Sequence, residues 1–163
     1  MGATGYAVRV PVVCKEKERV AAFTSVKIDK IVSLKSDLVL AFSDLQAEIA
    51  AELIKNSVAV TTYNQRDVAD ILAMFCHLSA TVGASGKAEA LALRYEKRLF
   101  ELRMAQKHVD RIGVYFEEWD SPTITGIKWV SELIEITGGT DVSSTLASNE
   151  PATDRVVTSE EVI

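Results

Sequence analysis

Two short apolar runs, 38–42 and 114–119, each end in an aromatic side chain and flank one long stretch of helical periodicity over 87–108. The 38–42 run is continuously apolar, as a parallel strand covered on both faces requires. Ser43-Asp44-Leu45-Gln46 follows with capping-box spacing, predicting a helix from Asp44 with Leu45, Ile49, Leu53 and Ile54 on its apolar face. A second apolar run, 58–63, completes a β-α-β unit, right-handed by expectation. A short helix or turn over 28–34 precedes it, packing Ile28, Ile31, Val32 and Leu34.

Further along, a helix over 66–82 has Asn64 or Asp67 as its start signal and Gly83 as its stop, with Met74, Phe75 and Leu78 at core spacing. Ser85 is placed to cap the long helix, whose apolar positions are Ala88, Leu91, Ala92, Tyr95, Leu99 and Leu102. Its charged positions mix both signs and read as a solvated face. A strand over 112–118, a turn at Asp120-Ser121-Pro122 and a helix over 127–136 ended by Gly138-Gly139 follow. At the front, 7–10 is strand-like with no preceding βα unit, and Thr158-Ser159-Glu160-Glu161 repeats the capping-box spacing at the far end. The layout predicts two α/β lobes on a stiff connector: a first lobe over 1–84, a helix over 85–109 and a partial second lobe over 110–163. Open α/β sheets bind ligands beyond the carboxyl ends of their strands, so Phe42 and Trp119 are expected to face one another across one cleft. Such a cleft suggests capture of a ligand rather than chemistry.

Composition narrows the picture. The 163 residues are 48% hydrophobic and 25% charged, with a net charge of -5, which fits a folded globular chain. An acidic balance without a Lys and Arg cluster argues against nucleic acid as a partner. Cys14 and Cys76 lack CxxC spacing, and on a helix the adjacent Cys76 and His77 side chains point about 100° apart, so no metal site is expected. Counting alone leaves a disulfide between the two cysteines open. No nucleophile has an accompanying base and orienting partner, and Glu117, Glu118 and Asp120 need not converge on one bond, so no enzyme is expected. Residues 1–6 lack the basic-then-apolar stretch of an export signal, and no run approaches the roughly 20 apolar residues that span a bilayer. As written, the chain is expected to stay in the cytoplasm.

The run Lys30-Ile31-Val32-Ser33-Leu34-Lys35-Ser36-Asp37-Leu38-Val39-Leu40-Ala41-Phe42 resembles the I-x-x-L-x-P-D-L-V segment of substrate-binding proteins for ABC importers of cobalamin and ferric siderophores. Tyr115-Phe116-Glu117-Glu118-Trp119, then Gly126, 129–135 and Gly138-Gly139, looks like the opening of the second lobe in the cobalamin-binding branch of this class III periplasmic binding protein family. Ser36 stands where the family usually has proline and Ser57 where it usually has glycine.

The resemblance implies an α/β fold of two Rossmann-like lobes with parallel sheets, joined by a long rigid helix, here with the second lobe incomplete and the family's first strand and helix absent. It also implies a periplasmic or extracytoplasmic setting, no cofactor, and one small-molecule ligand, a cobalamin-like corrinoid, passed to an ABC transporter permease. By position, Tyr6, Phe23, Phe42 and Trp119 match places where such proteins set aromatics against a ligand, and Ser43 joins them as a ligand-binding residue. Glu48 lies near the position at which the first lobe presents an acid to the permease. Core packing is the competing account of Phe23 and Phe42, and a solvated carboxylate that of Glu48. A ferric siderophore or haem is the alternative ligand. A fragment acting as an interaction module, self-associating through exposed sheet edges, is the alternative role. With half of one cleft wall missing, weak binding is expected.

Overall fold

The computed structural model describes every residue except Phe23, Val109, Glu150, Ser159 and 161–163. Phe23 and the helix start announced at Thr158 therefore lie at or beside positions outside the described residues. Packing divides the chain into two compact units, Met1–Asn64 and Gln65–Ile163.

The first unit opens with β1 (Gly2–Thr4), α1 (Pro11–Glu16) and β2 (Glu18–Ala21), with β1 parallel to β2. This corrects the expectation at the front. The strand is Gly2–Thr4 rather than 7–10, and with α1 and β2 it makes a βαβ unit. Pro11 at the first position of α1 explains the shift: proline suits a helix start, and the residue before it is held extended. After α2 (Ile28–Ser33), the strand β3 (Val39–Phe42), a 3-10 turn (Asp44–Gln46), α3 (Ala47–Lys55) and the parallel partner β4 (Val60–Tyr63) form the expected β-α-β unit.

Val20, Ile31 and Leu53 form the buried core of this unit, packed around by Leu34, Val39, Ile49, Val58 and Val60. The apolar face of α3 is narrower than predicted, for Leu45 and Ile54 are both exposed. Leu45 sits in the tighter 3-10 turn and so falls off the α-helical stripe, and Ile54 is one residue, about 100°, past the buried Leu53. The strand β3 is covered on one face only. Ala41 is buried, whereas Leu40 and Phe42 on the alternate face are exposed. Ser57 has φ 60, the left-handed geometry that accounts for glycine being usual there.

In the second unit, α4 (Val68–Thr81) packs along α5 (Ser85–Ala105), followed by β5 (Ile112–Val114), β6 (Glu117–Asp120), β7 (Thr123–Thr125), α6 (Lys128–Ile136), β8 (Gly139–Asp141), α7 (Ser144–Ala147) and a 3-10 turn, Ala152–Arg155. The buried Ala88 and Ala92 let α5 approach α4 closely, and Tyr95 meets Phe75 with ring centroids 6.5 Å apart. The helix α4 packs on both α5 and α6, and all three lie within the second compact unit.

Asp67 caps α4 by accepting the Asp70 amide at 2.8 Å, whereas Ser85 is the first residue of α5 and not its cap. The strand expected over 112–118 is two strands. β5 pairs in parallel with β8, and β6 turns back into β7 as an antiparallel hairpin. Gly138 ends α6 with φ 94, but Gly139 belongs to β8, where a side chain would meet Ile134 at 2.8 Å and Val114 at 2.9 Å. One glycine serves the turn and the next serves close packing.

Candidate functional site

In the first unit the candidate residues follow the carboxyl ends of parallel strands, where an α/β sheet leaves backbone and side chains free to meet a ligand. Tyr6 lies just past β1 and is 70% exposed. Phe42 ends β3 with its ring partly exposed, and Ser43 follows it, almost fully buried. Ser43 adopts φ 62 and ψ 169, a region that residues with a side chain rarely occupy and that costs about 1–3 kcal/mol.

Hydrogen bonds hold that strained geometry. The Ser43 amide donates to the Tyr63 carbonyl at 2.7 Å, and the Ser43 hydroxyl accepts the Leu45 amide at 3.2 Å. Gln46 Oε1 accepts the Phe42 amide at 2.9 Å, so the glutamine of the capping box reaches back to the aromatic residue itself. Glu48 is exposed in the first turn of α3, where a carboxylate is favoured by the helix dipole.

In the second unit, β5 ends at Val114, and the hairpin beyond it carries Trp119, which is 61% exposed. The indole Nε1 donates to the Ser121 carbonyl at 3.1 Å. Of the neighbouring carboxylates, Glu118 is held by Arg155 at 2.6 Å, and Glu117 acts on Tyr115. Burial first, and the Glu117 charge second, push the Tyr115 hydroxyl above its usual range.

A second charged group in this unit joins α4 to α6. Lys128 Nζ lies 2.9 Å from Asp67 Oδ2, and Glu132 accepts the Val68 amide at 2.9 Å. The Asp70 amide, then Lys128, hold the Asp67 carboxyl below the usual carboxylate range, and Asp67 in turn raises Lys128. A cavity of about 790 Å³ opens among α4, α5, α6 and α7, lined by Leu72, Leu99, Phe100 and Ile136 with Arg111 and Lys128 at polar positions. None of the predicted site residues lines it. Two of its lining cations, Arg111 and Lys128, are engaged by Glu135 and Asp67. Both cysteines are free thiols, and among the described residues no three His, Cys, Asp or Glu side chains converge to hold a metal ion.

Sequence reasoning singled out Phe42, Ser43 and Trp119 but missed Arg155, which has no local pattern to mark it. Only its buried position and its bonds to a strand far back in the chain reveal it.

Residues 3–157 match the model of the family described as periplasmic binding protein. The chain belongs to that family. A vitamin B12-binding protein of Vibrio cholerae serotype O1 is 29% identical over 135 residues, covering 78% of this chain and 47% of that protein. The crystal structure of the periplasmic vitamin B12-binding protein of Vibrio cholerae superposes with a TM-score of 0.72 at 25% identity, covering 93% of this chain and 59% of that one. An apo periplasmic haem-binding protein from Roseiflexus sp. RS-1 shares the fold, with a TM-score of 0.81 at 17% identity over 99% of this chain and 63% of that one.

The chain thus spans about half the length of the curated relatives it matches. The α/β architecture with parallel strands is that of the two-lobed class III binding proteins, and coverage of 59–63% of solved relatives fits an incomplete second lobe. The family is one of binding proteins rather than enzymes, and its description is periplasmic. Among the described residues no helix is long and apolar enough to cross a membrane.

Proposed function

We propose that this chain is a substrate-binding protein, or a part of one, that captures a cobalamin-like corrinoid for delivery to an ABC importer in an extracytoplasmic setting. The likeness to vitamin B12-binding proteins of Vibrio, at 29% identity over 78% of the chain, is the observation that carries this reading. Exposed aromatics beyond strand ends support it. A corrin is large and flat, and an indole or phenyl face offers area and stacking at small conformational cost. On this reading Tyr6, Phe23, Phe42, Ser43 and Trp119 contact the ligand, and Glu48, exposed on α3, meets the permease.

Tryptophan fluorescence tests it. With Trp129→Phe, Trp119 is the sole tryptophan of the chain. Cyanocobalamin is expected to quench it saturably, and Trp119→Leu is expected to weaken binding at least about tenfold, as loss of a central aromatic contact does. Saturable quenching by haemin or a ferric hydroxamate instead would move the ligand within the family. A dimer indifferent to all three would favour the interaction-module reading.

A further inference from the structure

Trp119 rides on a two-stranded hairpin, an element that is marginal in water without outside support. The ladder of that hairpin is also irregular. Glu117 pairs with Thr125 and Trp119 with Ile124, so Glu118 is an extra residue on its strand, a β-bulge. Bulges redirect neighbouring side chains, and a bulge displaced by one residue would turn Trp119 toward the opposite face.

The chain end supplies what the hairpin lacks. Val157 donates its amide to the Thr123 carbonyl at 2.9 Å, and Val156 bridges Ile124. Arg155, only 3% exposed, places Nη1 2.6 Å from Glu118 Oε2 and 2.6 Å from the Thr125 carbonyl. One guanidinium therefore grips the bulged residue on β6 and the backbone of β7 together. A buried guanidinium carries a desolvation cost that a structural role alone meets poorly, since an apolar side chain would pack there more cheaply. Fixing a geometry is the better-attested use of such a group.

We infer that Arg155 is a positioning residue for the Trp119 ring, acting by pinning the bulge at Glu118. The inference rests on the reading that Trp119 meets the ligand. It gives a role to the chain just past residue 150, distant in sequence from every predicted contact residue.

The test uses the full chain in the Trp129→Phe background. Without ligand, Arg155→Met and Glu118→Gln are each expected to lower Trp119 anisotropy and raise its acrylamide quenching, and the double variant to change no more than either single one. Cyanocobalamin affinity is expected to fall about tenfold in each, the size of one charge-assisted hydrogen bond. A companion series in Trp119→Phe, reporting through Trp129 on α6, is expected to stay unchanged, which separates a loosened hairpin from a loosened fold. Should Arg155→Met unfold the chain, Glu118→Gln decides, because Glu118 is partly exposed and its amide is tolerated. Unchanged Trp119 anisotropy and quenching in Glu118→Gln would overturn the inference. Trp119 left unquenched by cyanocobalamin in the parent would overturn the reading beneath it instead.

Discussion

Phe42 and Trp119 are both aromatics presented beyond the carboxyl end of a parallel strand, yet their supports differ. Phe42 is fixed by its own neighbourhood: Ser43 in a strained turn and Gln46 four residues on, bonded to the Phe42 amide. Trp119 has one local bond, from its indole to the Ser121 carbonyl, but the strand that carries it is held from afar, by a guanidinium 37 residues beyond its immediate neighbour Glu118. Local support survives changes in distant packing, whereas remote support couples the ring to the rest of its unit.

Substitutions sharpen that contrast, in order of expected effect. Leu53→Ala removes the most buried large side chain of the first unit and is expected to cost about 2–5 kcal/mol in urea unfolding, since the cavity left behind cannot fully close. Arg155→Met is expected to destabilise the second unit by about 2 kcal/mol, less than for a fully buried pair because the freed Glu118 can rehydrate. Asp67→Ala removes the cap of α4 and is expected to cost about 1 kcal/mol. Gln46→Leu is expected to cost about 0.5–1 kcal/mol and to alter only the Phe42 environment, read by a Phe42→Trp reporter. A Gln46 effect on Trp119 emission, or equal responses of both reporters to Arg155→Met, would break the distinction.

Acid offers a further check on the second unit. The Asp67 carboxyl is held below its usual range, so its stabilising contribution is full above the unfolded value of about 3.9 and is lost as pH falls through the lowered folded value. Asp67→Asn is expected to remove that segment of the acid-unfolding curve. An unchanged slope below about pH 4 would show that the Asp70 amide and Lys128 do not hold the carboxylate as described.

The same division explains what the sequence revealed. The β3, α3 and β4 segments, α4, α5 and α6 were legible because apolar periodicity and caps are local signals over several residues. Strands of three residues, such as β1, β7 and β8, carry too little periodicity to register. Phe42, Ser43 and Trp119 could be singled out because they end apolar runs or open a cap. Arg155 could not, since a cation next to an aspartate near the chain end looks like any solvated residue until burial and its bonds to Glu118 and Thr125 are known.

One titration bears most directly on the account: cyanocobalamin added to the Trp129→Phe chain while Trp119 emission is followed. A hyperbolic loss of emission that Trp119-adjacent Glu118→Gln shifts to higher concentration is the predicted result. Emission that falls only in proportion to added cyanocobalamin, as free tryptophan would, contradicts it.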